Sequence, residues 1–500
     1  MWVDGAPRVA CVTPARRMDG REVTTLEGLP EDDRSAWSSA LVASGGSQCG
    51  FCTPGIVMRL AALEGPAVDE RIDQSLLAHL CRCTGWQTIR EAAHAVVDGP
   101  STTDRVEPDR TSADTGSSSR DLDAAAARAG LEGGVHQRVD PAVVLGDAGF
   151  ADDGCPDGAL VAVVGAKGGY AVAESLPAAR ALAGKVQGRS TTVPLTHPVD
   201  VPPGDWAVTL ATTWVEPAYL EPDASWCSPG GEPASPVGNG GAFGGKLHSP
   251  VAEDARRLAD EHGCPVRVLW SREDVVRRGP KRPPVAAGVT ADGTGVLRVG
   301  ISGPKFDGPA WDAVVVAVAT VAPRLRLEQV AVAGPPVSLD LRAAVWAEAA
   351  VLAAVAHHAG ARGPVLDVPV EVISPGGGRA TARLGPDGSV DLEVSAGAVL
   401  DSVVLRSYAI GAAHQALGWV GSEGIAVDAE GNVRDLTVRS FGILQSRAMP
   451  PVDVRVDIGA TGTPVNGSDA VFAAVAAARW LADGLAPAWP TERGAESRRR

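Results

Sequence analysis

The 500 residues carry a formal net charge of −15 and a sequence pI near 5.1, which argues against nucleic acid or an anionic membrane surface as partner. No apolar run reaches the ~18 residues of a membrane span; the best, Ala343 to Ala356, is broken by Glu348. The eight cysteines are not spaced like the disulfide framework of a small secreted domain, and no secretory segment opens the sequence, so a reducing, cytoplasmic setting is expected. The length suggests three or four domains.

In chain order, Met1 to Gly28 comes first and holds the isolated Cys11. Helices are expected over 34–44 and 72–80, with Trp37, Leu41, Ile72, Leu76 and Leu80 as core positions. Between and beyond them lie two tight cysteine pairs, Cys49-x-x-Cys52 and Cys81-x-Cys83, separated by 28 residues. Thr53-Pro54 and Thr84 follow the pairs, and apolar residues then recur at helical spacing: Ile56, Val57, Leu60 and Leu63, then Trp86, Ile89, Ala93 and Val96. Both pairs are therefore expected at helix starts, where partial positive charge favours thiolates. Four thiolates in two pairs suit a tetrahedral zinc or a [2Fe–2S] cluster, and ordinary core cysteines are the bland alternative.

From Gly99 to about Gly134 the composition turns polar, with Ser and Pro and few large apolar residues, which predicts a linker. Short strands and turns follow in 139–165. Trp206, Val208, Leu210, Thr212 and Trp214 alternate as a strand, and 266–270 reads as another. A helix is predicted over 251–262, and further helices over 342–358, 405–417 and 469–481. Asp292-Gly293, Asp387-Gly388 and Asp428 to Asn432 each predict a hairpin. The mixture is α+β.

The loop GNGGAFGGK at Gly238 to Lys246 admits several readings. As a phosphate loop it fails, because Leu247 stands where Ser or Thr must reach magnesium. As a dinucleotide fingerprint it fails at Phe243. A generic tight turn is the bland reading.

QCGFCTPG (Gln48 to Gly55) with LCRCTGW (Leu80 to Trp86) closely resembles the helical [2Fe–2S] domain of the xanthine dehydrogenase and aldehyde oxidase family, the molybdenum hydroxylases. The resemblance covers about residues 1–98 and implies that Cys49, Cys52, Cys81 and Cys83 ligate one cluster. It also implies that 1–28 is the end of a plant-type ferredoxin domain in which Cys11 would be a fourth ligand. The C-x₄-C-x₂-C that supplies the other three is absent, so an N-terminally truncated sequence is expected. Weaker islands extend the resemblance over 137–484, among them TTWVEPAYLEPDASW (Thr212 to Trp226), NGGAFGGK, SYAIGAAHQALGWVGSEGIAVD (Ser407 to Asp428) and PVNGSDAVFAAVAAARW (Pro464 to Trp480).

The fold implied is multidomain α+β: an N-terminal helical [2Fe–2S] bundle, then α/β hammerhead-like and α+β molybdopterin-binding-like domains. Boundaries are placed at 1–28 (ferredoxin remnant), 29–98 (cluster domain), 99–135 (linker), 136–200 (hammerhead-like), 201–335 and 336–490 (molybdopterin-binding-like). Gly240, Gly241, Phe243, Gly244 and Gly245 become candidate contacts to molybdopterin, since glycine lets backbone approach a pterin closely. The resemblance also implies a flavin-binding partner, a fuller molybdenum subunit as a second partner, and a small heterocycle or aldehyde as substrate. The chain departs from the family at Thr463, where a glutamate base belongs, and in lacking an Arg-Gly-Phe-Gly segment. No catalytic residue is assigned: His248, His357, His358, Glu216 and Glu221 read as structural. Two functions follow, a molybdenum hydroxylase-type oxidoreductase passing electrons through its cluster, or an electron-transfer protein with a degenerate molybdenum-domain scaffold. A zinc-stabilised interaction protein is the third reading.

Overall fold

A computed structural model of the chain describes residues 1–99, 120–184, 193–237, 241–361 and 363–492. Among them, no helix is long and apolar enough to cross a membrane.

The N-terminal part pairs Trp2–Val3 with Ala6–Pro7 and Val23–Thr24 in a small antiparallel sheet. The helices Glu31–Ser44, Thr53–Leu60, Asp69–Ser75 and Gln87–Val97 follow. Trp37, Leu41, Ile56, Leu60, Ile72 and Ile89 fill their common core, as the helical spacing requires. The helix expected over 72–80 is shorter and earlier, because the chain turns off at Leu76 to deliver Cys81.

Part of the expected linker is ordered. Residues 100–119 lie outside the described residues, but Leu122–Gly133 is a helix, N-capped by Asp121. Its alanines let it lie flat on the helix Ser402–Gly421, and Arg128 is wholly buried, donating to the carbonyls of Val399 (2.9 Å), Ala398 (2.7 Å) and Val465 (2.7 Å). Composition misread this segment because small residues look like linker until something packs on them.

The boundary expected at residue 200 is not a break. One four-stranded sheet runs Tyr170–Ala173, Leu160–Val164, Val266–Leu269, Ala224–Cys227, taking two strands from each side of it. Leu160–Val164 pairs parallel with Val266–Leu269, and parallel partners need a long crossover, so distant segments must meet. A five-stranded sheet runs Leu325–Ala331, Gly295–Ile301, Val285–Val289, Val208–Thr212, Ala488–Trp489. A second four-stranded sheet runs Val370–Ile373, Arg379–Leu384, Val390–Ser395, Val452–Val456.

The Asp-Gly turns at 292–293 and 387–388 close true hairpins. Asp428 to Asn432 closes only a single bridge between Val427 and Val433. The helices Ser402–Gly421 and Ser468–Ala482 pack together at the centre and are buried over most of their length. The first of them meets the cluster domain.

Candidate metal centre

The two cysteine pairs converge. Cys52 is the N-cap residue of the helix Thr53–Leu60, with Pro54 in the first turn. Gly50 at φ +78° turns the loop tightly between Cys49 and Cys52. The second pair sits in an irregular loop rather than at a helix start: the helix begins only at Gln87, after Gly85 and Trp86 at φ +64° and +72°. Thr84 instead caps the loop, its Oγ1 lying 3.2 Å from Cys81 Sγ and accepting from Trp86 N at 3.4 Å.

The thiols stand as two pairs, each joining one member of either motif. Cys83 Sγ is 3.6 Å from Cys49 Sγ, and the Cys52 thiol hydrogen-bonds to Cys81. That bond brings the Cys81 thiol down to about 6, with the Thr84 hydroxyl adding to the effect. Cys52 is pushed up by the same bond and by burial, and Cys83 by its bond to Cys49 and by burial. Within each pair a second thiolate is unfavourable until a cation lies between the sulfurs.

Among the described residues, no group of three or more His, Cys, Asp or Glu side chains is placed to hold a single metal ion. Two irons, each taking two cysteine thiolates, match the 2 + 2 arrangement, so the donor set fits a [2Fe–2S] cluster better than a tetrahedral zinc. Cys11 is exposed and belongs to neither pair.

Long-range contacts hold the second loop. Gln48 Nε2 donates to Cys83 O at 3.2 Å and to Ser407 Oγ at 2.9 Å, and Gln415 Nε2 donates to Arg82 O at 3.0 Å. Gly411 lies between Ser407 and Gln415 on the same helix face, and a Cβ there would meet Cys83 O at 1.8 Å. Arg82, between the two cysteines, forms a buried ion pair with Glu423. Sequence reading missed Ser407, Gly411, Gln415 and Glu423. The first three recur every four residues, a one-face signal that the local sequence carried without saying what it faced.

The glycine loop is beside the cysteines. Gly240 lies outside the described residues. A Cβ on Gly241 would stand 3.0 Å from Cys49 Sγ and 3.2 Å from Cys83 Sγ. Phe243 packs edge-on against Tyr408 with centroids 6.4 Å apart, under the Arg342 guanidinium at 4.7 Å. Gly244 and Gly245 pack against the Asp340 backbone and the Tyr219 ring. The close approach that glycine permits is thus taken up by protein.

The room left beside Phe243 is about 40 Å³, enough for a water and far short of the several hundred a pterin-sized ligand fills. Arg282 closes it, bonded to Glu348 at 2.8 and 2.9 Å and stacked 4.2 Å from Trp419. Arg342 closes the other side, bonded to Asp469 at 2.9 Å and Gln415 at 3.2 Å. Among the described residues, the room beside Phe243 is too small for a molybdopterin.

The remaining candidates stand apart as structural groups. Thr463 is exposed and does not line that room. His248 is exposed, 2.8 Å from Asp340, and the rings of His357 and His358 meet at 4.0 Å between centroids, tilted by 43°. Glu216 pairs with the wholly buried Lys281 at 2.9 Å, and Glu221 with the buried Lys246 at 2.6 Å. Burial lowers the Lys281 pKa and raises that of Glu221.

Comparison with known proteins agrees with this geometry. Residues 25–94 match a family model described as a [2Fe–2S] binding domain. The chain is 42% identical over 94 residues to a probable component of the xanthine dehydrogenase of Bacillus subtilis (strain 168), covering 18% of this chain and 54% of that one. It is 41% identical over 102 residues to the xanthine dehydrogenase of Dictyostelium discoideum, covering 19% of this chain and 8% of that one. The chain therefore spans about half of the one relative and a small part of the other. The fold is similar to that of the aldehyde oxidoreductase from Desulfovibrio gigas, with TM-score 0.65 at 13% identity, over 98% of this chain and 93% of that one. Residues 25–94 thus match a [2Fe–2S] binding domain and are similar to part of the xanthine dehydrogenases, and the chain shares the fold of the aldehyde oxidoreductases.

Proposed function

We propose that the chain is the iron–sulfur part of a molybdenum hydroxylase-type oxidoreductase. Cys49, Cys52, Cys81 and Cys83 hold one [2Fe–2S] cluster, and electrons from a small heterocycle or aldehyde pass through it to a flavin-bearing partner. The observation that carries this is the pairing of Cys49 with Cys83 and of Cys52 with Cys81. A [2Fe–2S] cluster takes up and returns one electron at a time. The protein's part is to bury the centre, keep water from its sulfurs and fix the loop through Gln48, Gln415 and Arg82. The free cysteines of the described residues suit a reducing, cytoplasmic setting.

The closed room beside Phe243 and the exposed Thr463 favour a second reading. In it this chain relays electrons only, and its later domains are a scaffold that docks a fuller molybdenum subunit. A neutral hydroxyl cannot take a proton as a carboxylate does.

Iron and molybdenum per chain, measured on protein purified without oxygen, separate the two. Two irons with stoichiometric molybdenum support catalysis within this chain, and two irons without molybdenum support the relay. A colourless zinc protein sinks both.

A further inference from the structure

Thr84 follows Cys83 directly and is 1% exposed. Its Oγ1 lies 3.2 Å from Cys81 Sγ and 3.4 Å from Trp86 N. A hydroxyl offers one hydrogen and two lone pairs. The Trp86 amide can only donate, so it takes a lone pair of Oγ1. The hydroxyl hydrogen is left for the sulfur. Because the side chain is buried, bulk water does not compete for that hydrogen.

The two sulfur pairs are otherwise alike. Each joins one buried cysteine, Cys81 or Cys83, to one half-buried cysteine, Cys52 or Cys49. The Arg82 charge between them is answered by Glu423. The backbone amides of Thr84 and Cys83 act on the Cys81 sulfur, and that of Cys49 acts on the Cys83 sulfur. Among the described residues, no side-chain hydroxyl is bonded to the sulfur of Cys49 or Cys83. The Thr84 hydroxyl is therefore what sets the pairs apart. A thiolate ligand carries more negative charge once its iron is reduced, and a donor bonds the more charged acceptor more strongly. Such a donor favours the reduced form and raises the potential.

We propose that the Thr84 hydroxyl donates to the Cys81 thiolate, raises the midpoint potential of the cluster, and directs the incoming electron to the iron held by Cys52 and Cys81. The inference rests on the cluster reading above and says which end of the cluster is reduced. One ferric iron becomes ferrous; no bond breaks and no proton moves. The electron comes from the substrate under that reading, and from dithionite in the test. Thr84 acts through Cys81 and is a positioning residue.

The test uses the full chain with its cluster, iron counted beforehand, titrated with dithionite and mediator dyes without oxygen and followed by electron paramagnetic resonance. Thr84→Val keeps the branched shape without the hydroxyl, and Thr84→Ser keeps the hydroxyl. Thr84→Val is expected to weaken reduction about tenfold, a fall of 59 mV for a one-electron couple, while Thr84→Ser stays with the parent. If Thr84→Val loses its iron, Thr84→Ala is titrated in its place with the same expectation. An unmoved potential in protein that keeps its iron, or a serine variant that falls with the valine one, overturns the proposal. Proton resonance of the reduced protein reads the location of the electron. The cysteine methylene signals form a ferric and a ferrous group, which move in opposite directions on warming. Between parent and Thr84→Val the ferrous group is expected to shift and the ferric group to hold. A shift confined to the ferric group, or equal in both, overturns the assignment of the reduced iron. A parent without iron fails the cluster reading and this inference with it; a parent with iron and an unmoved potential fails this inference alone.

Discussion

Arg82 and Glu423, 341 residues apart in sequence, meet with Arg82 Nη2 2.8 Å from Glu423 Oε2. Their side chains are 7% and 2% exposed. The pair ties the Cys81–Cys83 loop to the end of the helix Ser402–Gly421. Removing one partner leaves a buried charge unanswered, at about 3–5 kcal/mol. Glu423→Leu is expected to lower the urea midpoint and the iron retained on purification. An unchanged midpoint would show that the pair does not hold the loop.

The sulfur pairing predicts unequal cysteines. Cys81→Ser is expected to lose most of the visible absorbance, because the proposed ligand set has Cys81 and Cys52 serving one iron. Cys11→Ser, on the exposed thiol, is expected to keep it. Absorbance spectra of the two variants check both, and unchanged absorbance in Cys81→Ser would sink that ligand.

Gly411 is a matter of space. A methyl group there would overlap Cys83 O, so the helix or the loop must move. Overpacking of this kind costs about 1–3 kcal/mol. Gly411→Ala is expected to lower both iron per chain and melting temperature. The same substitution at Gly360, which has nothing within 4 Å, is the control expected to leave iron unchanged.

His414 gives a pH signature. Burial, aided by the Arg82 charge, lowers its pKa from 6.5 to about 4. Its ring donates from Nε2 to Leu444 O at 2.9 Å, the same carbonyl that takes Trp86 Nε1 at 3.2 Å. The unfolded chain binds the proton first as pH falls, so this contribution is whole above 6.5 and is lost progressively down to about 4. The full loss is about 3 kcal/mol. His414→Gln keeps a donor without titrating, and is expected to flatten the urea midpoint between those pH values relative to the parent. An equal slope in both proteins would refute it.

The convergence of the cysteines was legible in part because spacing along the chain constrains them: with only Gly50 and Phe51 between them, Cys49 and Cys52 cannot lie far apart. Strong periodicity made the helices 251–262, 405–417 and 469–481 legible too, each matched to within a few residues. The helix Gly308–Val321 was not foreseen. Its run of valine and alanine has no polar face to mark a helical period, and only Val314 and Val318 are buried. The helix Leu122–Gly133 was hidden for the opposite reason, small residues in a polar neighbourhood.

The sequence by itself determined that four thiols come in two short pairs, that Phe51 lies between two of them, and that the middle and end of the chain mix strands with helices. These are local facts, set by covalent spacing and by residue preferences. Only the tertiary structure decided which sulfur meets which, that Ser407, Gly411 and Gln415 brace the second loop, and that arginines fill the room beside Phe243. Those contacts join residues tens to hundreds of positions apart. They exist only where packed helices and paired strands bring distant surfaces within hydrogen-bonding range.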